Sequence, residues 1–322
     1  MVIASGIGGQ AGFAEEVTYG TYVAPTRFLE FEKESIKVDI GKIRAAGIGG
    51  GRFNRINYSK TYIKGAAGSV EWILQNKGFA LLLKHCLGAV ATAGPTASAY
   101  THTLSPDANA LKGKSLTFQI GRPDIDGTSR VFSFLGGKIT AWELSAQLDA
   151  AARLRTDFDF KTCDVGQSLA AAAYPSSPEI LTFVDGALTV GGPAKSVSSI
   201  KIGQQNALKT DRRFLGNAKK EPLANGISTV TGEFVAEFES LADYNAAVAG
   251  TQAALVLTFT SVAEISAGVP FLVTVTIPAI EFLNAEPSIE GPDVLKATIP
   301  FMALKGASDI ISIAYKTSEA TP

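Results

Sequence analysis

The chain contains only two histidines and two cysteines in 322 residues. Groups that shuttle protons, attack substrates or hold metals are therefore scarce, and an enzyme is not expected. Cys86 and Cys163 are too few for a disulfide framework, so both are expected to be reduced and structural. His85 adjoins Cys86 in a helical pattern, but adjacent helix residues point about 100° apart and do not face each other. His102, in Tyr100-Thr101-His102-Thr103, alternates along a loop or strand without an obvious ligand partner. No Cys or His spacing suits zinc. Asp124-Ile125-Asp126-Gly127 has the opening of a calcium loop, yet Leu135 stands where the closing glutamate belongs, so it reads as a hairpin turn. The runs Gly6-Ile7-Gly8-Gly9 and Gly47 to Gly51 lack the strand before and helix after that a phosphate-binding loop needs, and read as a flexible arm and a flexible loop. No cofactor or metal is expected.

Long apolar runs are missing too. No stretch approaches the ~18 residues that span a bilayer, and the opening Met1-Val-Ile-Ala-Ser-Gly lacks the basic region of a signal peptide. Synthesis and assembly in a cytoplasm, away from membrane, are the expectation. Net charge is only −1, which argues against a protein that binds nucleic acid by neutralising many phosphates. The charge is unevenly distributed. Residues 1–163 carry 19 basic and 14 acidic side chains, and residues 164–322 carry 10 and 16. That asymmetry fits either head-to-tail attraction between copies or simple scatter between two domains.

Hydrophobic residues make up 46% of the chain and charged residues 18%, a balance that folds and stays in solution. Alternation of apolar with polar residues dominates, as in Phe28–Glu32, Ile36–Ile40 and Phe271–Ile277, and predicts strands. Further strands fit Ser115–Gly121, Arg130–Phe134, Lys138–Leu148, Leu154–Phe160, Ser228–Phe238, Ala254–Thr260 and Val294–Leu304. Two helices are predicted. Asn76–Leu87 places Phe79, Leu82, Leu83 and Cys86 on one face and stops at Gly88; Ser240–Ala249 groups Leu241, Tyr244 and Val248 and stops at Gly250.

These helices anchor an internal repeat. Ser35-Ile36-Lys37-Val38, a basic loop, Gly68-Ser69-Val70-Glu71-Trp72 and a helix recur as Ser199-Ile200-Lys201-Ile202, a basic loop, Thr231-Gly232-Glu233-Phe234 and a helix. Leu116-Thr117-Phe118 then matches Leu257-Thr258-Phe259. The reading is a mainly β protein made by tandem duplication: residues 1–165, a small-residue and proline-rich linker at 166–179, and residues 180–322. The first basic loop, Lys42 to Lys64, carries Arg44, Arg52 and Arg55 with Phe53, Tyr58 and Tyr62 and no acid; its counterpart carries Arg212 and Arg213. Subunit contact, nucleic-acid binding and a solvated loop all fit this pattern.

Gly12-Phe13-Ala14-Glu15-Glu16-Val17-Thr18-Tyr19-Gly20-Thr21, followed by Ala24–Leu29 and Glu34-Ser35-Ile36, resembles the N-terminal signature of bacteriophage tail tube proteins. Gly65–Trp72 running into Lys77–Lys84 and closing at Leu87-Gly88 is similar as well; the resemblance is looser after residue 100. It implies two tail-tube-like β-sandwich or half-barrel domains, each with one short helix. It also implies a virion protein of a long, non-contractile tail that polymerises with itself, three chains supplying six ring positions around a lumen that conducts the genome. Tail initiation, terminator and tape measure proteins are the implied partners, with transient, non-specific passage of DNA. The N-terminal arm Met1–Gly20 and the Lys42–Lys64 loop are expected to reach the adjacent ring, with Phe13, Tyr19, Arg44, Arg52, Phe53, Arg55, Arg212 and Arg213 as contact residues. Two alternatives stay open: the tube of a contractile tail or injection device, and a surface- or carbohydrate-binding β-domain protein.

Overall fold

A computed structural model describes residues 5–48, 53–109, 111–216, 218–287, 289, 291–292 and 294–322. In the first half, the principal strands are β1 (Gln10–Glu15), β2 (Lys37–Arg44) and β3 (Ser59–Ile73). After helix α1 (Ala80–Leu87) come β4 (Gly88–Thr96), β5 (Ala99–Pro106), β6 (Leu116–Pro123), β7 (Ser129–Gln147), β8 (Arg153–Phe160) and β9 (Thr162–Asp164). The second half has β10 (Gly186–Val190), β11 (Val197–Gln205) and β12 (Thr229–Glu237), helix α2 (Ala242–Ala249), then β13 (Ala253–Ser266), β14 (Val269–Phe282), β15 (Lys296–Ala303) and β16 (Ser312–Thr317). The protein is mainly β, as its alternation predicts.

All pairings among these strands are antiparallel. In the first half the order is β2, β3, β8, β7, β6, β1, with β9 also on β7. The second half runs β11, β12, β15, β14, β13, β10, with β16 also on β14. The two orders match strand for strand; only the β4–β5 hairpin has no counterpart in this scheme. Two pairings join the halves, β7 with β11 and β5 with β16. The core residues of both halves form one contiguous cluster.

Alternation explains the layering. Val70 and Trp72 on β3, Leu154 and Phe158 on β8, and Trp142 and Leu144 on β7 point one way and are buried. So are Ile200 and Ile202 on β11, Phe234 on β12, and Ile299 and Phe301 on β15. At the centre of the first half, Phe118 lies parallel to Phe13 with centroids 6.1 Å apart, meets Trp72 edge-on and packs on Phe158 at 5.3 Å. The indole Nε1–H of Trp72 donates to Thr156 Oγ1 at 2.9 Å, which satisfies the one polar atom this ring buries.

The helices depart from expectation at their starts. Gly78 has φ +84° and Asn76 is tied to Glu179, so the first predicted turn of α1 is not helical. Both helices end as predicted, on left-handed glycines, Gly88 at φ +111° and Gly250 at φ +64°. Helix α1 is almost wholly buried. In α2 no residue is buried, and Leu241, Tyr244 and Val248 are exposed. Two of the elements that pack on α1 belong to the β4–β5 hairpin, and nothing equivalent follows α2. The 166–179 stretch is pinned rather than loose: Gln119 bonds Ser168 and Ala170, Gln10 bonds Ala170, and Tyr174 packs edge-on against Phe28.

His85 is buried on α1, and burial, followed by the charges of Lys84, Lys138 and Lys114, pushes its pKa down to about 3. The Glu15 carboxylate 3.7 Å away opposes this but does not win. The unfolded chain takes up a proton below about pH 6.5 while the folded chain does not, so stability falls as pH drops from there toward 3. His85→Leu should flatten this dependence, narrowing the gap between pH 6.5 and pH 4 by no more than about 3 kcal/mol, read from denaturation midpoints at each pH. His102 is fully buried in β5. Its Nε2–H donates to the Glu319 carbonyl at 2.9 Å, and its Nδ1 accepts from Thr92 Oγ1 at 2.8 Å. The role is structural: it ties the C-terminal segment to the hairpin of the first half.

Candidate assembly surfaces

Strands β2, β3, β8, β7, β11, β12, β15 and β14 form one continuous sheet across both halves. One face makes the core described above. The other presents Glu71, Glu143, Arg153, Arg155, Asp157, Lys201 and Glu233. Most of these charges are paired, Arg155 with Asp157 at 3.1 Å, Lys201 with Glu233 at 3.0 Å, and Lys33 with Glu71 at 2.9 Å. Arg153 chelates Glu32 at 2.6 and 3.0 Å and holds that carboxyl below its usual range. A face built this way is polar and nearly self-neutralised. Among the described residues no three His, Cys, Asp or Glu side chains gather as metal ligands.

The two basic loops take different positions. The described part of the loop between β2 and β3 is exposed, with Phe53 79% and Ile56 95% accessible. Arg44 ends β2 at the surface, and Arg55 stacks over Tyr58 at 5.1 Å. Arg52 lies outside the described residues. The counterpart at 206–228 folds down onto the first half. Arg213 donates to the Lys64 carbonyl, and Arg212 donates to the Glu221 carbonyl at 2.6 Å. Lys219 reaches buried Asp159 at 2.7 Å and the Phe160 carbonyl at 2.8 Å. Glu221 accepts from buried Lys138 at 2.6 Å. Buried Asn206 donates to the carbonyls of Cys86 and Ile139. Arg212 and Arg213 are thus engaged within the chain.

The N-terminal signature is largely internal. Phe13 is 0% exposed, so its ring packs the core and is not available as a surface anchor; β1 pairs along its whole length with β6, so Gln10–Glu15 is not part of an arm. Tyr19 is half-buried under Lys161, whose ammonium lies 5.6 Å from the ring centre. Burial pushes its phenol pKa well up, with Asp159, Glu221 and Glu16 adding to the shift. Glu16, which was not singled out from sequence, organises the segment. Its carboxylate accepts from the amides of Gly20 (2.7 Å) and Gly136 (2.8 Å) and from the hydroxyls of Ser115 (2.7 Å) and Thr117 (3.1 Å). The only hint was its distance of four residues from Gly20, whose φ of +73° closes the turn.

The described residues thus offer a large polar-faced sheet, an edge of β2 that pairs with no strand among them, and an exposed basic segment. No curated protein sequence matches the chain. The family model described as phage tail tube protein matches residues 6–303, nearly its whole length. The chain belongs to the phage tail tube protein family, a structural component of the virion that assembles with copies of itself into a tube.

Proposed function

We propose that three copies close into a ring, each supplying two pseudo-equivalent positions, and that stacked rings form the hollow tail through which the genome passes. The observation that carries this is the strand order repeated in the two halves, which supports a tandem duplication at 1–165 and 180–322. Two like units joined edge to edge within one chain already make one of the joints a ring needs, and repetition of a heterologous joint closes when the rotation allows. The polar face of the eight-stranded sheet, with its charges paired in place, faces the lumen in this reading and lets DNA slide past without a lattice of free cations to hold it. The reading extends to a flexible, non-contractile tail assembled in the host bacterial cytoplasm. Tail initiation, terminator and tape measure proteins would be its virion partners.

Light scattering of the purified protein with negative-stain electron microscopy tests this. The expected species is a ring of about 101 kDa, three times 33.6 kDa, or hollow stacks of threefold rings. Sixfold rings of about 202 kDa would keep the tube and remove the claim that each chain fills two positions. The exposed loop carrying Arg44, Phe53 and Arg55, together with Tyr19, is proposed to contact neighbouring copies. Arg52→Ala combined with Phe53→Ala should shorten or abolish tubes seen by electron microscopy while leaving the subunit's melting temperature unchanged; tubes of normal length would take the loop out of the contact.

A further inference from the structure

Where the 206–228 loop lies on the first half, it closes a cleft of about 640 Å³. Tyr19 of the N-terminal segment, Lys161 between β8 and β9, and Lys219, Lys220 and Glu221 of the loop line it. Glycines make room for the cations. A Cβ on Gly20 would stand 2.8 Å from the Lys161 nitrogen, and one on Gly65 would stand 2.7 Å from that of Lys219. The acids close by are already engaged. Glu221 accepts from Lys138 and from the Gly113 amide, each at 2.6 Å, and Asp159 is taken by Lys219. These two pairs cancel, Glu16 near Tyr19 and Arg213 near Asp159 offset one another, and the charges of Lys161 and Lys220 are left over. Neither ammonium has a carboxylate within ion-pair distance among the described residues.

Hydrogen-bond donors are left over as well. The Tyr19 hydroxyl is buried without a partner, and burial keeps the phenol protonated and able to donate. An orphaned buried hydroxyl costs free energy unless something accepts from it. Lys219, whose side chain is only 8% exposed, spends two of its three N–H groups on Asp159 and the Phe160 carbonyl and keeps one. We propose that this cleft binds a free tetrahedral dianion of the phosphate class, held by Lys161, Lys220 and the Tyr19 hydroxyl, with Lys219 as a further donor. Two unmatched ammoniums call for two negative charges, which favours a free dianion over a single carboxylate or the singly charged phosphodiester of a nucleic acid. The bound ion bridges the N-terminal segment, the end of β8 and the 206–228 loop, and so fastens the second half to the first. Neither the site nor its test depends on how copies assemble.

Calorimetric titration of the full chain with sodium phosphate, at an ionic strength held constant with sodium chloride, tests the site. Saturable binding of one phosphate per chain is expected. Lys161→Gln combined with Lys220→Gln should weaken it by about a hundredfold or more, and Tyr19→Phe by about tenfold, because charge-assisted hydrogen bonds are lost. Phosphate well above its dissociation constant should raise the melting temperature of the parent relative to sodium chloride and leave that of the double variant where it was. Melting in chloride checks that the double variant folds; if it does not, Tyr19→Phe, which keeps the ring and both cations, decides the matter alone. An absence of saturable heat up to about 10 mM phosphate would overturn the site. So would binding that the folded variants leave unchanged, or a single-stranded oligonucleotide that binds through Lys161 and Lys220 where free phosphate does not.

Discussion

Replacing Lys219 by methionine is expected to destabilise the subunit by about 3–5 kcal/mol, measured by chemical denaturation. Its ammonium sits 2.7 Å from Asp159, and the two side chains are only 8% and 12% exposed. The space exists because Gly65 has no side chain: a Cβ there would stand 2.7 Å from the Lys219 nitrogen. Burial already pushes the Asp159 carboxyl up, with Lys219 as the main opposing influence. Without the ammonium, a carboxylate is left buried and unpaired, and that penalty exceeds the value of the pair itself. Two controls isolate the cause. Adding Asp159→Asn should recover part of the loss. Lowering the pH should also help the single variant, because the folded state then binds a proton more tightly than the unfolded state does, and stability rises as pH falls through the raised pKa. A loss unchanged by either control would mean that packing of the lysine stem, rather than charge, holds the loop down.

That pair also marks where the sequence stops being readable. Strand positions were legible where a strand is buried on one face, as in β12, β14 and β15, because alternation then reports burial directly; Phe28–Glu32 alternates as well, yet only Arg27–Phe28 is strand there. Gly88 and Gly250 announced the helix ends because a left-handed terminus selects glycine. The β4–β5 hairpin was not predicted: Ala89, Ala91, Ala93 and Gly94 are small, and half of its register faces solvent, so the pattern carries little contrast. The destinations of charged residues were unreadable for a different reason. Lys219 and Asp159 are 60 positions apart, and Lys138 and Glu221 are 83 apart. Nothing local distinguishes these four from solvated side chains, and Arg212 and Arg213 looked like contact residues on the same footing as Phe53. Phe13 failed as a predicted anchor because its alternation fits a core strand as well as an arm.

Phe118→Ala should be among the most damaging single core changes, costing about 3–5 kcal/mol. Four rings surround Phe118: Phe13 at 6.1 Å, Trp72 at 6.1 Å, Phe158 at 5.3 Å and Phe160 at 6.3 Å. Rings held by strands on opposite sides cannot collapse into the space left behind, so the cavity term adds to the lost transfer energy. Phe234 provides an internal comparison. It is equally buried, but Phe301 at 6.2 Å is the one aromatic ring packed against it among the described residues. Its cross-strand partners, Ile200 and Ile299, are aliphatic, and aliphatic side chains relax into a void more easily than clustered rings do. Phe234→Ala is therefore expected to cost less than Phe118→Ala by about 1 kcal/mol, both read as midpoint shifts at constant denaturant slope. The two halves share one contiguous core and two strand pairings, so each variant should unfold in a single transition. A second transition in Phe118→Ala, with the second half still folded, would show that the two halves keep separate stabilities despite the pairings between them, and the buried pairs of the 206–228 loop would then be the contacts that couple them.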